Sequence, residues 1–463
     1  MYKLDFNKPI NVHFIGIGGI SMSGLAEILI DKGFKVTGSD SQPNYLTGHL
    51  EDKGAIINYP QSKENIAKDI DLIVYSAAIH EDNIERVTAV ELDIPQISRA
   101  ELLGEFMLNY KNAINIAGTH GKTTTTSMMS EIFLKANSDP TILVGGVLDD
   151  IAGNMRLGKD DYFIVEACEY TNSFLSFHPT ASMILNIEAD HLDFFKDLDD
   201  IRHSFKQFID MTSDVVVINN EIENYEELVK DTKAKVITFG LNEEADYYAK
   251  EVSYDELVNA SFDVYHKGEL LGRVELAVPG SHNVYNALAS VACALHYNID
   301  FETVCDAFRS YHGTHRRFEI KGTVNGCKVV DDYAHHPAEI EAVLKVANNY
   351  PHNKIWAVFQ PFTYTRTVDL LDDFAKVLLN SDMAIVSDIC AGREENTMGI
   401  TGEIVINKMK EMSDKCIYLE TFDDIINYAK DKVSEGDLFI TMGCGDVYKL
   451  ADRFVKEYGD KDE

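Results

Sequence analysis

Short apolar runs rich in valine, isoleucine and phenylalanine alternate with stretches of helical period along the whole chain. Such runs, bounded by glycine and polar turns, read as buried strands, and their alternation with helices reads as an α/β chain with mostly parallel sheets. The pattern falls into three successive blocks. The first opens with a strand over Val12–Ile15, a glycine turn and a helix through Ile30. Strands follow at Lys35–Gly38 and Leu72–Tyr75, and a helix over Arg99–Tyr110 closes the block. The second opens the same way, with a strand at Ala113–Ala117, a glycine turn and a helix. It continues with strands at Tyr162–Val165, Met183–Asn186 and Val215–Ile218, a meander across Ala245–Val278 and a helix over Asn283–Tyr297. The third begins near Tyr311, with strands at Lys328–Val330, Ile355–Phe359, Ala384–Val386 and Leu438–Thr441. The expected domains are 1–110, 111–312 and 313–463, in keeping with a 463-residue chain at about 100–200 residues per domain.

Charge changes the picture more than composition does. Acidic residues outnumber basic ones by 76 to 42, a net charge of −34. Such a surface repels nucleic acid and anionic membrane, so neither is an expected partner, and an anionic substrate would need locally clustered cations. The seven cysteines form no Cys-x-x-Cys pair and are odd in number, which excludes a disulfide framework or zinc site and fits a reducing, cytoplasmic compartment. The N-terminal residues lack an apolar signal core, and no run approaches the ~18 apolar residues of a membrane span.

The sharpest motif is Gly118-Thr119-His120-Gly121-Lys122-Thr123-Thr124, between a strand and a helix. Its glycines let backbone N–H groups turn toward phosphate oxygens, and the helix adds its N-terminal dipole. Lys122 can neutralise β/γ-phosphate charge and the Thr123 hydroxyl can ligate magnesium. The loop has two residues between its glycines where the usual phosphate loop has four. Downstream, Glu166 and the run Asn186-Ile187-Glu188-Ala189-Asp190-His191 each end a strand, where ligands of α/β sheets collect. Taken singly, Glu166 reads as a surface carboxylate and His191 as a capping histidine. Together, after a phosphate loop, they suit a hard cation beside phosphates.

The first glycine turn, Gly16-Ile17-Gly18-Gly19-Ile20-Ser21, resembles a dinucleotide fingerprint with serine at the third glycine position, and Asp40 follows the second strand where a ribose-binding acid is expected. It fits NAD or a UDP-sugar equally.

These motifs, taken in order, resemble the Mur ligase family over nearly the whole chain. The landmarks are Gly16 through Ala26, Gly38-Ser39-Asp40, Ser76-Ala77-Ala78-Ile79, Arg99-Ala100-Glu101, the second glycine loop, Glu166-Ala167-Cys168-Glu169-Tyr170 and Asn186 through Asp193. They continue with His282-Asn283-Val284-Tyr285-Asn286, Arg316-Arg317-Phe318-Glu319, Asp331 through Pro337 and Gln360 through Thr367. The resemblance implies three α/β domains: a Rossmann-like one for a UDP-sugar, a central P-loop-type ATPase domain, and a Rossmann-like C-terminal domain that presents an amino acid. The Gly-x-Gly-Gly form of the first loop points, within the family, to L-alanine as that amino acid and UDP-N-acetylmuramate as acceptor, with ATP and Mg2+ as cofactors, in peptidoglycan precursor synthesis.

The same resemblance implies roles. UDP-sugar contacts fall on Gly16, Gly18, Gly19, Ser21, Asp40 and Ser76. ATP contacts fall on Gly118, Thr119, His120, Gly121, Lys122, Thr123, Thr124, Asn283, Asn286, Arg317 and Asp332, with Arg316 an alternative to Arg317. Metal ligands fall on Thr123, Glu166 and His191, and the amino-acid pocket on Tyr333, His335 and Arg366. The catalytic set is Lys122, Glu166, His191, His335 and Arg366. Two departures stand out. Some relatives carry a second arginine where this chain has Thr363, preceded by Phe362, which leaves carboxylate recognition to Arg366. Lys206 stands at the spacing of a lysine that some relatives carbamylate, although a solvated lysine on the helix around Ile201–Ile209 is the simpler expectation.

Three rival readings differ in what they leave unused. A recycling ligase would attach a preformed peptide to the same UDP-sugar. An NAD-dependent dehydrogenase accounts for the first loop but not the second. A non-enzymatic NTP switch leaves Arg366 and Asp331–Pro337 without a role.

Overall fold

The structure, a computed structural model, describes residues 3–76, 78–151, 153–191, 194–392 and 394–460. Ala77, Leu192 and Asp193, quoted above as landmarks, lie outside the described residues. The chain divides into two compact units. One comprises Met1–Lys250, Asp263–Gly272 and Tyr285–Phe308, the other Glu251–Phe262, Arg273–Val284 and Arg309–Glu463.

The first unit carries a five-stranded parallel sheet in the order Ile56–Asn58, Lys35–Ser39, Asn11–Ile15, Leu72–Tyr75, Gln96–Ser98. A larger, ten-stranded sheet has Asn112–Ala117 at its centre, flanked by Tyr162–Ala167 and Ala181–Ile184 in parallel register. The antiparallel pair Thr141–Leu148 and Gly153–Arg156 closes one edge, and the meander Tyr247–Tyr254, Asn259–His266, Glu269–Pro279 forms the other. The helix Ile20–Asp31 packs on the hairpin at that first edge: a β-carbon at Gly24 would stand 3.4 Å from Met155 and 3.7 Å from Leu143. The strands are buried on both faces, as parallel sheets flanked by helices require.

The helix Lys122–Lys135 opens on four consecutive threonines, β-branched residues that are weak helix formers. Thr125, Thr126, Met128, Met129, Ile132 and Phe133 are buried, so packing rather than propensity holds this helix. The segment Tyr170–Ser176 is anchored by Phe174, whose ring stacks on Phe208 at 4.6 Å and meets Phe205 edge-on at 5.3 Å.

The second unit carries a six-stranded sheet in the order Glu319–Val324, Cys327–Asp332, Leu438–Met442, Ile355–Phe359, Met383–Val386, Cys416–Tyr418; its first strand is antiparallel and the others parallel. Three sequence expectations need correction. The strand expected at Met183–Asn186 runs Ala181–Ile184, and Leu185 and Asn186 have already left the sheet for the glycine loop. The helix expected at Arg99–Tyr110 ends at Met107. The hairpin over Thr141–Arg156 was not expected, because glycines and aspartates break its alternation.

Candidate active site

The second glycine loop is shaped by its neighbours. Gly121 has φ +84° and Gly118 φ +150°, conformations that favour glycine. A β-carbon at Gly121 would stand 2.7 Å from Asn286 Oδ1, so Asn286 borders the loop. Asn186 clamps the loop from the opposite strand. The His120 N–H donates to its Oδ1 at 2.8 Å, and its Nδ2 donates to the His120 carbonyl at 3.0 Å. Thr119 joins the clamp, its N–H donating to Asn186 O and its hydroxyl accepting from the Glu188 N–H.

Lys122 turns inward. Its ammonium donates to the Gly118 and Thr119 carbonyls and to both oxygens of Glu169, the nearer at 3.0 Å. Burial opposes its charge, but Glu169 first, then Cys168 and Glu166, hold its pKa above the usual lysine value. Glu169 is 3 % exposed. Its other neighbour is His191 Nε2, 3.8 Å away, which also lies 3.8 Å from Asp190 and stacks on Tyr170 at 4.6 Å between ring centroids. Sequence reasoning quoted Glu169 without a role. The signal was available: a second carboxylate three residues beyond Glu166 at the same strand exit, where a buried lysine needs a counter-ion.

Glu166 faces the hairpin. The Gly145 N–H donates to its Oε1 at 2.5 Å, and a β-carbon at Gly145 would stand 2.8 Å from both carboxylate oxygens. Thr171, Asn172 and His191 all have φ between +53° and +56°. For a β-branched threonine this is an outlier, and such strain, about 1–3 kcal/mol per residue, gathers at functional sites. The burial of Phe174 beside it, with a phenylalanine in a core contributing about 3–5 kcal/mol, is enough to offset it.

Lys122, Glu166, His191 and Thr123 thus converge at one end of the central sheet. Among the described residues, no group of three or more His, Cys, Asp or Glu side chains is arranged to hold a metal alone. Lys206 is instead engaged on the outer helix face, 3.1 Å from Asp210 and 2.8 Å from Asp231.

At the first glycine turn, Gly16 has φ +81°, and a β-carbon there would stand 3.0 Å from Ser76 Oγ, which brings Ser76 to the loop. Asp40 braces the turn: its Oδ2 accepts from the Gly18 N–H at 2.8 Å and its Oδ1 from the Ser41 N–H. Gly19 caps the following helix with no side-chain hydrogen bond. The Ser21 hydroxyl accepts from Arg99 Nη1 at 3.0 Å.

In the second unit, Asp331 and Asp332 are buried at the end of their strand. Burial pushes Asp331 up to about 6, against the pull of Thr441 and Arg316, and also raises Asp332. Asp332 accepts the N–H groups of Phe318 and Ala334, each at 2.8 Å, so it shapes the turn that presents Tyr333. Arg316 lies over the Tyr333 and Tyr448 rings and donates to Asp331, while Arg317 lies over Tyr333 at 5.5 Å. His335 Nδ1 lies 3.1 Å from Glu339; burial opposes that carboxylate's charge, but His335 holds its pKa well below the usual range. Arg366 is half-buried on the short helix Tyr364–Asp369, with no carboxylate within ion-pair distance among the described residues. Thr363, before that helix, has φ +61°, and Glu394 caps the helix by accepting from the Tyr364 and Thr365 N–H groups. Asn283 donates to the Pro279 carbonyl, and an open groove of about 470 Å³ lined by Val258, His282, Lys345 and Asn349 lies in this unit beside it.

Three family models match in succession: "Mur ligase family, catalytic domain" over 11–111, "Mur ligase middle domain" over 116–294, and "Mur ligase, glutamate ligase domain" over 316–445. The chain is 53% identical to the UDP-N-acetylmuramate--L-alanine ligase of Lachnospira eligens, covering 98% of this chain and 100% of that one. It is 47% identical to the ligase of the same name from Caldanaerobacter subterraneus subsp. tengcongensis, covering 98% and 99%. Among solved structures, the UDP-N-acetylmuramate-alanine ligase MurC of Thermotoga maritima superposes with a TM-score of 0.80 at 29% identity, covering 97% and 99%. A murein peptide ligase of Psychrobacter arcticus superposes with a TM-score of 0.72 at 26% identity, covering 98% and 100%. With glycine loops and strand-end carboxylates in the expected places and relatives about half identical from end to end, this chain belongs to the Mur ligase family.

Proposed function

We propose that this chain joins L-alanine to the lactoyl carboxylate of UDP-N-acetylmuramate, consuming ATP, in the synthesis of peptidoglycan precursors in the cytoplasm. The observation that carries the reading is the buried Lys122–Glu169 pair at a glycine loop, with Glu166 at the same strand exit. The near-full-length identity to named alanine ligases supports the choice of substrate. In this reading 1–110 binds the UDP-sugar, through the Gly16–Ser21 turn braced by Asp40 and through Ser76. Residues 111–312 bind ATP, and 313–463 present the amino acid.

The reaction is acyl activation. The sugar's carboxylate attacks the γ-phosphorus of ATP, ADP leaves, and an acyl phosphate forms. The alanine amine then attacks the acyl carbon, and the tetrahedral intermediate collapses to amide and phosphate. A carboxylate approaching a polyphosphate is an anion–anion encounter, so fixed cationic and dipolar groups dominate catalysis. Lys122 exchanges the Gly118 and Thr119 carbonyls for phosphate oxygens, while the loop N–H groups from Gly118 to Thr124 cradle the rest. Thr123, Glu166 and His191 would hold magnesium, which when bound would supply charge neutralisation at the phosphates. Asn283 and Asn286 contact the adenine side. Arg317, on a turn that Asp332 holds, is assigned as a further ATP contact. Arg366 orients the alanine carboxylate, and Tyr333 and His335, the latter set by Glu339, line the pocket.

The test is ADP release with ATP, Mg2+ and UDP-N-acetylmuramate, offered each L-amino acid and, because a murein peptide ligase shares the fold, the murein tripeptide. Turnover with alanine alone is expected. Preference for the tripeptide, NADH turnover, or ADP formation without the sugar nucleotide would each overturn the reading.

A further inference from the structure

Among the described residues, the half-buried cation Arg99 has no counter-ion within ion-pair distance. It opens the helix Arg99–Met107, where the helix dipole is already positive, so its charge is not favoured locally. The nearest carboxylate in sequence, Glu101, is engaged elsewhere: its Oε2 accepts the Ser98 N–H at 2.7 Å in a capping box. Among the described residues, no carboxylate oxygen approaches the Arg99 guanidinium within ion-pair distance, and its hydrogen bond is to the neutral Ser21 hydroxyl. Burial accordingly lowers its pKa, with only a faint compensating influence from Cys168. Leaving a desolvated charge uncompensated is costly, and proteins retain such groups where a ligand completes them.

Its position identifies the ligand. Ser21 belongs to the first glycine turn, which receives the sugar nucleotide. Cys168, between Glu166 and Glu169 in the sequence, is near enough to act electrostatically on both Arg99 and Lys122. The helix that carries Arg99 is pressed onto the segment after Glu169 so tightly that a β-carbon at Gly104 would stand 1.9 Å from the Ser176 carbonyl oxygen. Arg99 is therefore held rigidly between the sugar-nucleotide turn and the phosphate-transfer end of the central sheet. One part of the acceptor has to span that interval: the carboxylate, tethered to the sugar yet delivered to the γ-phosphate. We propose that Arg99 binds and orients the acceptor's lactoyl carboxylate before its phosphorylation, a role that rests on the proposed substrate and adds a residue to it.

The test is calorimetric titration of the full chain and its Arg99→Gln and Arg99→Lys variants. The ligands are UDP-N-acetylmuramate and UDP-N-acetylglucosamine, which shares the uridine diphosphate but lacks the lactoyl carboxylate. Arg99→Gln should weaken UDP-N-acetylmuramate about 10- to 150-fold, the scale of a hydrogen bond to a charged group, and leave UDP-N-acetylglucosamine within about twofold. Arg99→Lys, which keeps the charge without the fork, should fall between. The melting temperature of Arg99→Gln should equal or exceed that of the unaltered chain. Equal weakening of both ligands would assign Arg99 to the diphosphate or to the fold and overturn the proposal, as would unchanged affinity for both. If Arg99→Gln fails to fold, the ratio of the two affinities in Arg99→Lys decides on the same terms. Failure of the unaltered chain to bind UDP-N-acetylmuramate would overturn the substrate assignment itself, and this inference with it.

Discussion

Gly145→Ala isolates the placement of Glu166 from everything else in the site. The added β-carbon would stand 2.8 Å from both Glu166 carboxylate oxygens, and ordinary van der Waals contact begins at 3.4 Å. The carboxylate therefore retreats by about 0.6 Å, and the hydrogen bond from the Gly145 N–H stretches and tilts. Gly145 has no positive φ, and the displaced atoms are the free end of a flexible side chain, so the fold absorbs the methyl. The melting temperature should change by no more than about 2 °C. A misplacement approaching 1 Å can cost about 100-fold in rate, so kcat should fall about 10- to 100-fold. The Mg2+ concentration for half-maximal rate should rise, with the KM for UDP-N-acetylmuramate unchanged. ADP release measured across a magnesium titration and a UDP-N-acetylmuramate titration reads all three quantities. Unchanged kcat and unchanged magnesium dependence in a folded variant would refute the assignment of Glu166 to the metal.

Three further predictions follow the same logic. Lys122→Ala should lose turnover about 100- to 1,000-fold. It should also lose stability by about 3–5 kcal/mol, because it strands the buried Glu169 carboxylate; adding Glu169→Gln should restore the denaturant midpoint but not the activity. Arg366→Lys should raise the KM for alanine about 10- to 150-fold and leave the other two KM values alone, which steady-state kinetics on each substrate in turn would check. Burial, then Asp150, raises the Glu131 carboxyl from 4.5 to about 8. A raised folded-state pKa means stability that is complete below about 4.5 and lost as pH rises through about 8. The melting temperature should therefore fall between about pH 5 and 8 and level off above that, and Glu131→Gln should flatten that slope; parallel slopes would rule it out.

The sequence by itself determined the α/β class, the two strand–glycine–helix openings and the residues of the second glycine loop. These are local properties, since a buried strand, a tight turn and a helix start each depend on a few consecutive side chains. It also brought out Glu166 and His191, because strand exits can be read from apolar runs. Only the tertiary structure decided what those residues touch. Glu169 as the partner of Lys122, Asn186 as the clamp on His120, and Gly145 as the seat of Glu166 are contacts between strands far apart in sequence. Asp40 reads as a ribose ligand from its position after a strand, and the structure adds that its oxygens brace the glycine turn. Asp332 likewise holds backbone rather than standing open. In the sequence Arg99 is a family landmark that carries no assigned role. That no carboxylate among the described residues pairs with it appears only once Glu101 has turned back to cap the helix and the fold has set the guanidinium against the Ser21 hydroxyl. Periodicity reports which face of an element is buried. Which polar groups meet there depends on how sheets and helices close around them, and that information is non-local.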